Sequence, residues 1–442
     1  MKYHIVTYGC QMNYSDTERM RTVLENLGYE QTQKIEESDL IILNTCSVKQ
    51  QSEDRIYGLE KRFRQLKSKN HKLAVGIAGC AASETGLRKD LGNYILDRMS
   101  TIDFLLRNRD MVKLPEILQT FHDIGNRDKI SGLTSYFNIA PTVTSSKQVL
   151  VPVSSGCNYF CSYCIVPFRR GRETYRPMKE IVQEVKDLAK KGAVEVTLVG
   201  QTVNSYNPSD IKDKTVHPFA QLIRKIDAIP SIRRIRLVAP HPAEMVDDLI
   251  NCYGDCATFC PQLHLPVQSG SNTVLKRMNR RYTIERFKEI IAKARERVPA
   301  LSVSTDLIVG FPGETEEEFQ ESFNLVKDLK IDQSFTSKYS PRPGTLAAEK
   351  MKNNVSHKEK LRRFHMINNL IEKNSHQYNK QFKGKIVELL VEKIDKDGMA
   401  WGKTPENKFV LFPAKKNKNL VGTLVPVKIT KTMEWAMEGK MV

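Results

Sequence analysis

The sequence predicts an α/β protein with three parts: an N-terminal parallel α/β domain, a TIM-like but incomplete barrel, and a small all-β barrel. Its 442 residues allow about three domains. Up to about residue 374, short apolar runs alternate with helical segments, which favours βαβ units and parallel sheets. From residue 381 onward, short strands follow one another without intervening helices, and this pattern is typical of a small β-barrel.

The first hundred residues contain three predicted strands, with helical segments between or after them. We expect strands at residues 3–7, 39–44 and 73–78, and helices at 15–26, 52–67 and 84–91. Ser15 and Glu18 have the spacing of a capping box, which predicts a helix that begins near Ser15. Residues 123–147 are polar and irregular, and we interpret them as a linker.

The central region repeats the alternation six times, which predicts the TIM-like barrel. Its strands are expected at residues 151–153, 195–199, 234–238, 262–265, 303–309 and 333–338. Helices are expected at 179–190, 286–297 and 316–329, and a polar helix at 357–380 leads out of the region. The C-terminal strands are expected at 386–391, 408–412 and 423–431.

The chain is strongly basic, with a formal net charge of +18. Such an excess is typical of proteins that bind a polyanion, usually nucleic acid, although a solvated basic surface is an alternative. The C-terminal segment from residue 381 contributes five of these charges, and small basic barrels commonly bind nucleic acid. The sequence lacks a signal peptide and any apolar run of about 20 residues, so we expect a cytoplasmic protein with no membrane segment.

Nine cysteines and the absence of an export signal argue for metal binding rather than disulfides. The clearest motif is Cys157, Cys161 and Cys164, a C-x3-C-x2-C run after a predicted strand. Three closely spaced thiolates suit a [4Fe–4S] cluster that keeps one iron open for an exogenous ligand. A structural zinc site would need a fourth Cys or His nearby, and none follows within 30 residues.

Three further cysteines, Cys10, Cys46 and Cys80, each stand just beyond a predicted strand. Because ligands bind outside the carboxyl ends of strands in open α/β sheets, these thiols are expected at one edge, where Gly9 and Gly79 allow close backbone approach. They predict a second cluster; the alternative is three unrelated buried cysteines. Buried structural roles are expected for the remaining three, which are Cys252, Cys256 and Cys260.

Polar and glycine residues at the ends of barrel strands form a candidate cofactor site, because barrel enzymes keep their active sites there. Glu314 has an equally good alternative role at a helix N-terminus, and His264 one as a satisfied core residue. Three arginines after the cluster motif either contact phosphates or lie on a solvated face; they are Arg169, Arg170 and Arg172. The candidate cofactor-binding residues are Gly200, Gln201, His264, Gln268, Asp306, Gly310 and Glu314.

Seven motifs are spread over nearly the whole chain: 8–13 (YGCQMN), 44–46 (NTC), 78–80 (AGC), 156–164 (GCNYFCSYC), 200–206 (GQTVNSY), 264–270 (HLPVQSG) and 306–314 (DLIVGFPGE). They resemble the motifs of the methylthiotransferases, a family of radical S-adenosylmethionine (SAM) enzymes. The QMN run after Cys10 is similar to the branch that modifies isopentenyladenosine in tRNA, and differs from the branches that modify threonylcarbamoyl adenosine or a ribosomal protein. Thr202 stands where the family usually has Asn.

The resemblance implies domains at residues 1–120 (N-terminal methylthiotransferase domain), 143–375 (radical SAM core) and 378–442 (TRAM domain). It implies transfer of a methylthio group to C2 of N6-isopentenyladenosine at position 37 of tRNA, with SAM as both methyl donor and radical source. The other two branches provide the alternative substrates. The cofactors would be SAM and two [4Fe–4S] clusters, and Tyr163 would pack near the adenine of SAM. The expected partners of a monomer are the tRNA anticodon stem-loop, an electron donor such as flavodoxin or ferredoxin, and a sulfur donor.

Overall fold

The computed structural model describes residues 1–48, 50–92, 94–124, 133–143, 145, 147–414 and 418–442. The chain divides into two compact units. The first comprises Met1–Thr144, Ser154–Asn158 and Cys164–Arg176, and the second Ser145–Val153, Tyr159–Tyr163 and Pro177–Val442. The predicted linker at 123–147 lies partly outside the described residues. Within the described part of the chain, no helix is both long enough and apolar enough to cross a membrane.

A six-stranded sheet forms the centre of the first unit, in the order β2-β1-β3-β4-β6-β5. All pairs are parallel except β5 with β6. Every residue of β3 and β4 is buried, because helices cover both faces of a parallel sheet and its strands become continuously apolar. The elements are β1 (Lys2–Tyr8), α1 (Gln11–Asn26), β2 (Glu30–Gln31), β3 (Leu40–Thr45), α2 (Gln50–Tyr57), α3 (Glu60–Lys69), β4 (Ala74–Ala78), β5 (Gly86–Leu87), α4 (Tyr94–Arg98), β6 (Phe104–Leu106) and α5 (Leu114–Leu118).

Three predicted helices of this unit differ from the structure. The first begins at Gln11 rather than Ser15, because Cys10 and Asn13 form the capping box, while Ser15 is buried and accepts from Arg19. The helix expected at 52–67 is split into α2 and α3 around Gly58, which has the lowest helix propensity after proline. The prediction of a helix at 84–91 is wrong, because this segment pairs with β6 as the short strand β5 and continues as a 3-10 turn.

The chain then runs through β7 (Gln148–Pro152) of the second unit and returns to the first unit for a short segment. This segment contains the antiparallel pair β8 (Ser154–Ser155) and β9 (Thr174–Tyr175), with the one-turn helix α6 (Val166–Arg170) between them. It carries Cys157 and Cys164 of the C-x3-C-x2-C motif, whereas Cys161 belongs to the second unit.

The second unit contains six parallel strands in two sheets, β11-β10-β7 and β12-β13-β14. The two sheets meet through a parallel bridge between Ile235 and Phe259. This is the predicted incomplete TIM-like barrel. Its elements are α7 (Met178–Lys190), β10 (Glu195–Val199), α8 (Pro218–Asp227), β11 (Arg234–Leu237), α9 (Asp247–Asp255), β12 (Gln262–His264), α10 (Asn272–Arg277), α11 (Ile284–Arg297), β13 (Ser302–Val309), α12 (Glu316–Asp328), β14 (Gln333–Lys338), α13 (Leu346–Lys350) and α14 (His357–Asn379).

A closed five-stranded barrel follows α14, in the order β15-β16-β17-β19-β18. Alternate residues of its strands point inward and form an apolar core that includes Leu389, Ala400 and Phe412, as the two-residue period of a strand requires. The strands are β15 (Ile386–Ile394), β16 (Met399–Lys403), β17 (Phe409–Pro413), β18 (Leu424–Thr432) and β19 (Met437–Met441). The prediction of a small C-terminal β-barrel is therefore confirmed, with β16 and β19 added to the three expected strands.

Candidate metal centres

Three cysteines of the first unit lie at one edge of its sheet. Cys10 follows β1 by two residues, Cys46 comes directly after β3, and Cys80 follows β4 by two residues. Because β1, β3 and β4 are adjacent parallel strands, their carboxyl ends meet at the same edge. The predicted placement of the three thiols is confirmed, and the edge has an open side, since Cys10 is exposed while the other two are buried.

A pair of buried asparagines fixes the loops that carry Cys10 and Cys46. The Asn13 side-chain oxygen accepts from the Cys10 backbone N–H at 3.2 Å. Asn13 Nδ2 donates to Asn44 Oδ1 at 3.2 Å, and Asn44 Nδ2 donates to the Asn13 carbonyl at 2.7 Å. Both asparagines are fully buried. Both asparagines lie within the motifs of residues 8–13 and 44–46, but the sequence did not predict this role; a polar residue at the end of a buried strand was the available signal.

Gly79 brings the Cys80 loop against the loop of Cys46. Its φ of +89° lies in the left-handed region, and a Cβ there would stand 2.5 Å from Asn44 Oδ1 and 2.7 Å from the Thr45 carbonyl oxygen. Only glycine meets both requirements without strain. The close backbone approach predicted for Gly79 is therefore present.

Arg170 is buried beside Cys80, which corrects the two interpretations offered for it. Its Nε donates to Cys80 Sγ at 3.1 Å, and its Nη2 donates to Asp16 Oδ2 at 2.7 Å. Its side chain is only 4% exposed, so it is neither on a solvated face nor free to contact phosphate. Burial raises the pKa of the Cys80 thiol, and the Arg170 charge opposes that rise.

The three thiols at this edge are donors of the type that iron–sulfur clusters take. Within the described ranges, no three His, Cys, Asp or Glu side chains converge on a point where they could hold one metal ion. Cysteines that bind a [4Fe–4S] cluster each contact a different iron, so they stand farther apart than the ligands of one zinc ion. In addition, the buried Nη1 of Arg170 has no hydrogen-bond partner among the described residues, which leaves a donor beside Cys80 for a sulfur-rich group.

The part of the C-x3-C-x2-C motif that belongs to the first unit is held by its own backbone. The Cys157 N–H donates to the Gly171 carbonyl at 3.1 Å. Gly156 has a φ of +90°, and a Cβ there would collide with the Arg172 carbonyl. Cys157 and Cys164 are both partly exposed. The segment therefore presents two partly accessible thiols on a tightly closed loop.

The second unit holds Cys161 through Arg280. Arg280 Nη1 donates to Cys161 Sγ at 3.4 Å, and its Nη2 donates to the Pro266 carbonyl at 3.2 Å. The next residue, Ser162, is anchored by its N–H to the Met278 carbonyl at 3.0 Å. Tyr163 packs edge-on against Phe311 at 6.3 Å between ring centroids. Sequence reasoning missed Arg280, because no motif includes it.

The predicted cofactor-binding residues of the barrel lie at or near the carboxyl ends of its strands. Gly200 and Gln201 follow β10, and His264 is the last residue of β12. His264 Nδ1 lies 3.0 Å from Ser304 Oγ. Asp306 lies inside β13 rather than at its end, and the Gln268 N–H donates to its carbonyl at 2.8 Å. The structure brings these segments to one end of the barrel.

Glu314 and Gly310 form a closed turn after β13. Glu314 Oε2 accepts from the Gly310 N–H at 2.6 Å and from Arg363 Nη1 at 2.7 Å. Burial raises the pKa of the Glu314 carboxyl, while Gly310 and Arg363 oppose the rise. The N-cap of α12 is Thr315, so Glu314 joins the turn to α14 rather than capping the helix. Its role in SAM binding remains a prediction.

The third set of cysteines is buried, as the structural interpretation expects. Cys252 lies inside α9, Cys256 is the C-cap of that helix, and Cys260 precedes β12. Each is at most 5% exposed. Sequence reasoning also missed His241, whose ring stacks on the ring of Tyr159 with the two centroids 3.7 Å apart.

The incomplete parallel barrel and the two sets of three cysteines define the class: a radical SAM iron–sulfur protein. Three family models match the chain: the Radical SAM superfamily at residues 151–326, the TRAM domain at 380–442, and "Uncharacterized protein family UPF0004" at 2–103. The chain is 40% identical, over 100% of its length and 92% of the relative, to a tRNA-2-methylthio-N(6)-dimethylallyladenosine synthase of Thermoanaerobacter sp. strain X514. It is 38% identical to that of Clostridium tetani, over 100% of this chain and 96% of the relative. The chain belongs to the family of tRNA-2-methylthio-N(6)-dimethylallyladenosine synthases.

Solved structures share the fold at low identity. The radical S-adenosylmethionine methyltransferase TsrM from Kitasatospora setae superposes with a TM-score of 0.55 and 16% identity, over 78% of this chain and 75% of TsrM. The cobalamin-dependent S-adenosylmethionine radical enzyme OxsB superposes with a TM-score of 0.51 and 11% identity, over 84% of this chain and 56% of OxsB. At these identities the likeness concerns the fold alone.

Proposed function

We propose that this protein transfers a methylthio group to C2 of N6-isopentenyladenosine at position 37 of tRNA. The observation that carries the proposal is the presence of two three-cysteine sets: Cys10, Cys46 and Cys80 at the carboxyl ends of adjacent parallel strands, and the C-x3-C-x2-C motif of residues 157–164. With three cysteine ligands, each set would leave one iron of a [4Fe–4S] cluster without a protein ligand. The full-length similarity to synthases of this name supports the same substrate.

The two sets have different roles in the proposal. Cys157, Cys161 and Cys164 would hold the cluster that binds SAM, and Cys10, Cys46 and Cys80 would hold the cluster that binds sulfur. When bound, SAM and the two clusters supply the radical and the methylthio group, which acid–base side chains cannot provide for an aromatic C–H bond. The protein contributes binding, orientation and exclusion of water. Gly200, Gln201, His264, Gln268, Asp306 and Gly310 are proposed to surround SAM, together with Tyr163 and Glu314.

The anticodon stem-loop is the proposed part of the tRNA that binds. Its single-stranded bases suit recognition by stacking and by basic charge. On the closed barrel, Trp401 and Phe409 lie on the outward face of β16 and β17 and are 38% and 39% exposed. Lys403 Nζ lies 4.9 Å from the Phe409 ring centroid. We assign this face, with its exposed aromatics and its lysine, to RNA contact.

The electron donor and the sulfur donor of the proposal follow from the chemistry of the reaction. Reductive cleavage of SAM needs an electron donor such as flavodoxin or ferredoxin, and each turnover consumes one sulfur that a donor must replace. We propose a cytoplasmic monomer with domains at residues 1–120, 143–375 and 378–442.

The experiment that tests the proposal is anaerobic incubation of the reconstituted protein with SAM, dithionite, sulfide and tRNA that carries isopentenyladenosine. Nucleoside mass spectrometry is expected to show the methylthio derivative of that nucleoside. Formation of 5′-deoxyadenosine without this product would contradict the substrate assignment. Parallel reactions with threonylcarbamoyl adenosine tRNA and with ribosomal protein would then identify the branch.

A further inference from the structure

Arg170 and Cys80 are 90 residues apart in the sequence, and their contact joins two cysteine motifs. Arg170 is the last residue of α6, the helix that begins two residues after Cys164. Its Nε–H points at the Cys80 sulfur, and its Nη1 is buried without a partner among the residues that the structure describes. A guanidinium is a planar fork of five donors with no acceptor, so the anionic form of the Cys80 sulfur is a complementary neighbour for Nε.

A buried aspartate holds this guanidinium in place. Asp16 is fully buried and accepts from Arg170 Nη2 at 2.7 Å and from the Tyr136 hydroxyl at 2.7 Å. It also accepts from the side-chain amide of Asn108. A buried carboxylate with three donors is well satisfied, and its charge balances that of Arg170. The arginine is therefore fixed in orientation without needing the cysteine.

The same network also reaches the helix that follows Cys10 and the segment that carries Cys157 and Cys164. Asp16 lies on α1, and Cys10 is the N-cap of that helix. Gly171, the residue after Arg170, accepts the N–H of Cys157 at 3.1 Å. A single side chain thus connects the helix of Cys10, the thiol of Cys80 and the segment that carries Cys157 and Cys164.

We propose that Arg170 is a positioning residue for the N-terminal cluster: it orients the Cys80 thiolate and raises the cluster's reduction potential. The inference rests on the proposed assignment of Cys10, Cys46 and Cys80 as ligands. Reduction adds one electron to the cluster and increases its negative charge. A fixed N–H dipole beside a ligand sulfur stabilises the reduced form more than the oxidised form, and hydrogen bonds to sulfur are a known determinant of cluster potential.

The test measures the midpoint potential of this cluster by titration with dithionite and mediators, followed by electron paramagnetic resonance. The parent chain for this test is the full-length protein with Cys157→Ala, Cys161→Ala and Cys164→Ala, so that only the N-terminal cluster contributes to the signal. Arg170→Gln is expected to lower the ratio of reduced to oxidised cluster about tenfold at a fixed potential, which is ~59 mV for a one-electron couple. Arg169→Gln is the matched control, because it removes the same charge from the same helix without removing the donor to Cys80.

A potential that is unchanged in Arg170→Gln, with the cluster present, would overturn the inference and leave the proposed function intact. If the parent chain binds no iron, the ligand assignment itself fails. If Arg170→Gln loses the cluster, Arg170→Lys is measured instead, because lysine keeps a positive charge for Asp16. Its cluster is also expected to have a lower midpoint potential than that of the parent chain, and an unchanged potential would overturn the inference.

A measurement on the parent chain does not depend on any substitution of Arg170. With arginine labelled by ¹⁵N at the guanidinium, pulsed resonance of the reduced cluster is expected to show a weak ¹⁵N hyperfine coupling. Absence of this coupling would also overturn the inference, because a donor 3.1 Å from a ligand sulfur must sense the unpaired spin.

Discussion

Arg236 and Glu195 form a buried ion pair between neighbouring barrel strands, with 3.0 Å between Arg236 Nε and Glu195 Oε2. Both of the other guanidinium nitrogens donate at 2.9 Å to carbonyls of the C-terminal barrel, those of Pro405 and Thr404. Glu195 is the first residue of β10, so the small barrel docks at the amino ends of the strands, opposite the candidate cofactor site. Contacts at this end of a barrel usually serve stability.

We expect Arg236→Gln to destabilise the protein by about 3 kcal/mol, because it leaves the buried Glu195 carboxylate short of its partner. Urea unfolding measures this loss, and limited proteolysis should detect earlier release of the C-terminal barrel. Arg233→Gln is the control. Arg233 pairs with Glu388 at 3.6 Å on the surface, with both side chains more than 40% exposed, and its loss should cost under about 1 kcal/mol.

Separate roles for the two cysteine sets predict separable losses. Cys46→Ala should abolish the N-terminal cluster and the methylthio product, while reductive cleavage of SAM to 5′-deoxyadenosine continues. Iron per chain should fall by half, because each of the two sets is proposed to hold one [4Fe–4S] cluster. Cys252→Ala provides the control, because that residue is buried in α9 and its loss should leave the iron content unchanged. If Cys46→Ala also stopped SAM cleavage, the assigned roles would be wrong.

The elements that sequence reasoning predicted best are those whose local pattern and burial agree. The strands β10 (Glu195–Val199) and β14 (Gln333–Lys338) have the predicted bounds, because each is a short run bounded by clear helical periodicity. The helix expected at 84–91 failed, since the pairing of Gly86 and Leu87 with β6 is a tertiary contact that propensity does not report.

The cysteines of the candidate site were predictable, because they follow strands. The contacts that arginines make with these cysteines were not predictable. Cys10, Cys46 and Cys80 could be grouped, because the topology of a parallel sheet brings strand ends together. Arg170 and Arg280 reach cysteines that are 90 and 119 residues away. No spacing rule connects such residues, so their contacts are visible only in the folded chain.

The aromatic face of the C-terminal barrel should contribute to tRNA affinity. A base stacked on an aromatic side chain contributes about 1–3 kcal/mol, so Trp401→Ala is expected to weaken tRNA binding by about tenfold. Filter binding with isopentenyladenosine tRNA measures this change. Trp435→Ala is the matched control, because Trp435 is 55% exposed but does not belong to β16 or β17. Equal effects of both substitutions would contradict the assignment of this face.

His241 should make stability depend on pH below about 6.5. Burial, and then the charges of Arg280 and Arg281, lower the pKa of His241 to about 2, so the ring stays neutral in the folded state. The unfolded chain binds a proton below its ordinary pKa of about 6.5. Stability is therefore full above that pH and falls by about 1.4 kcal/mol per pH unit below it.

The measurement is the difference in unfolding free energy between pH 7.5 and pH 5.5, compared between the wild-type chain and His241→Asn. Asparagine retains a side-chain acceptor for the Ala243 N–H, which His241 Nδ1 accepts at 3.2 Å. The variant should lose about 1.4 kcal/mol less than wild type over this interval. An identical pH dependence in the two proteins would contradict a buried neutral His241.

The contact between Gly79 and Asn44 predicts a selective loss of the N-terminal cluster. In Gly79→Ala, the added Cβ would stand 2.5 Å from Asn44 Oδ1 and 2.7 Å from the Thr45 carbonyl, so the Cys80 loop must move away from the Cys46 loop. Iron analysis should show loss of this cluster, with SAM cleavage retained. Gly28→Ala is the matched control: Gly28 also has a positive φ, of +85°, but a Cβ there meets nothing within 4 Å. It isolates the backbone cost of about 1 kcal/mol from the collision. A full iron content in Gly79→Ala would show that Cys80 does not need this approach to act as a ligand.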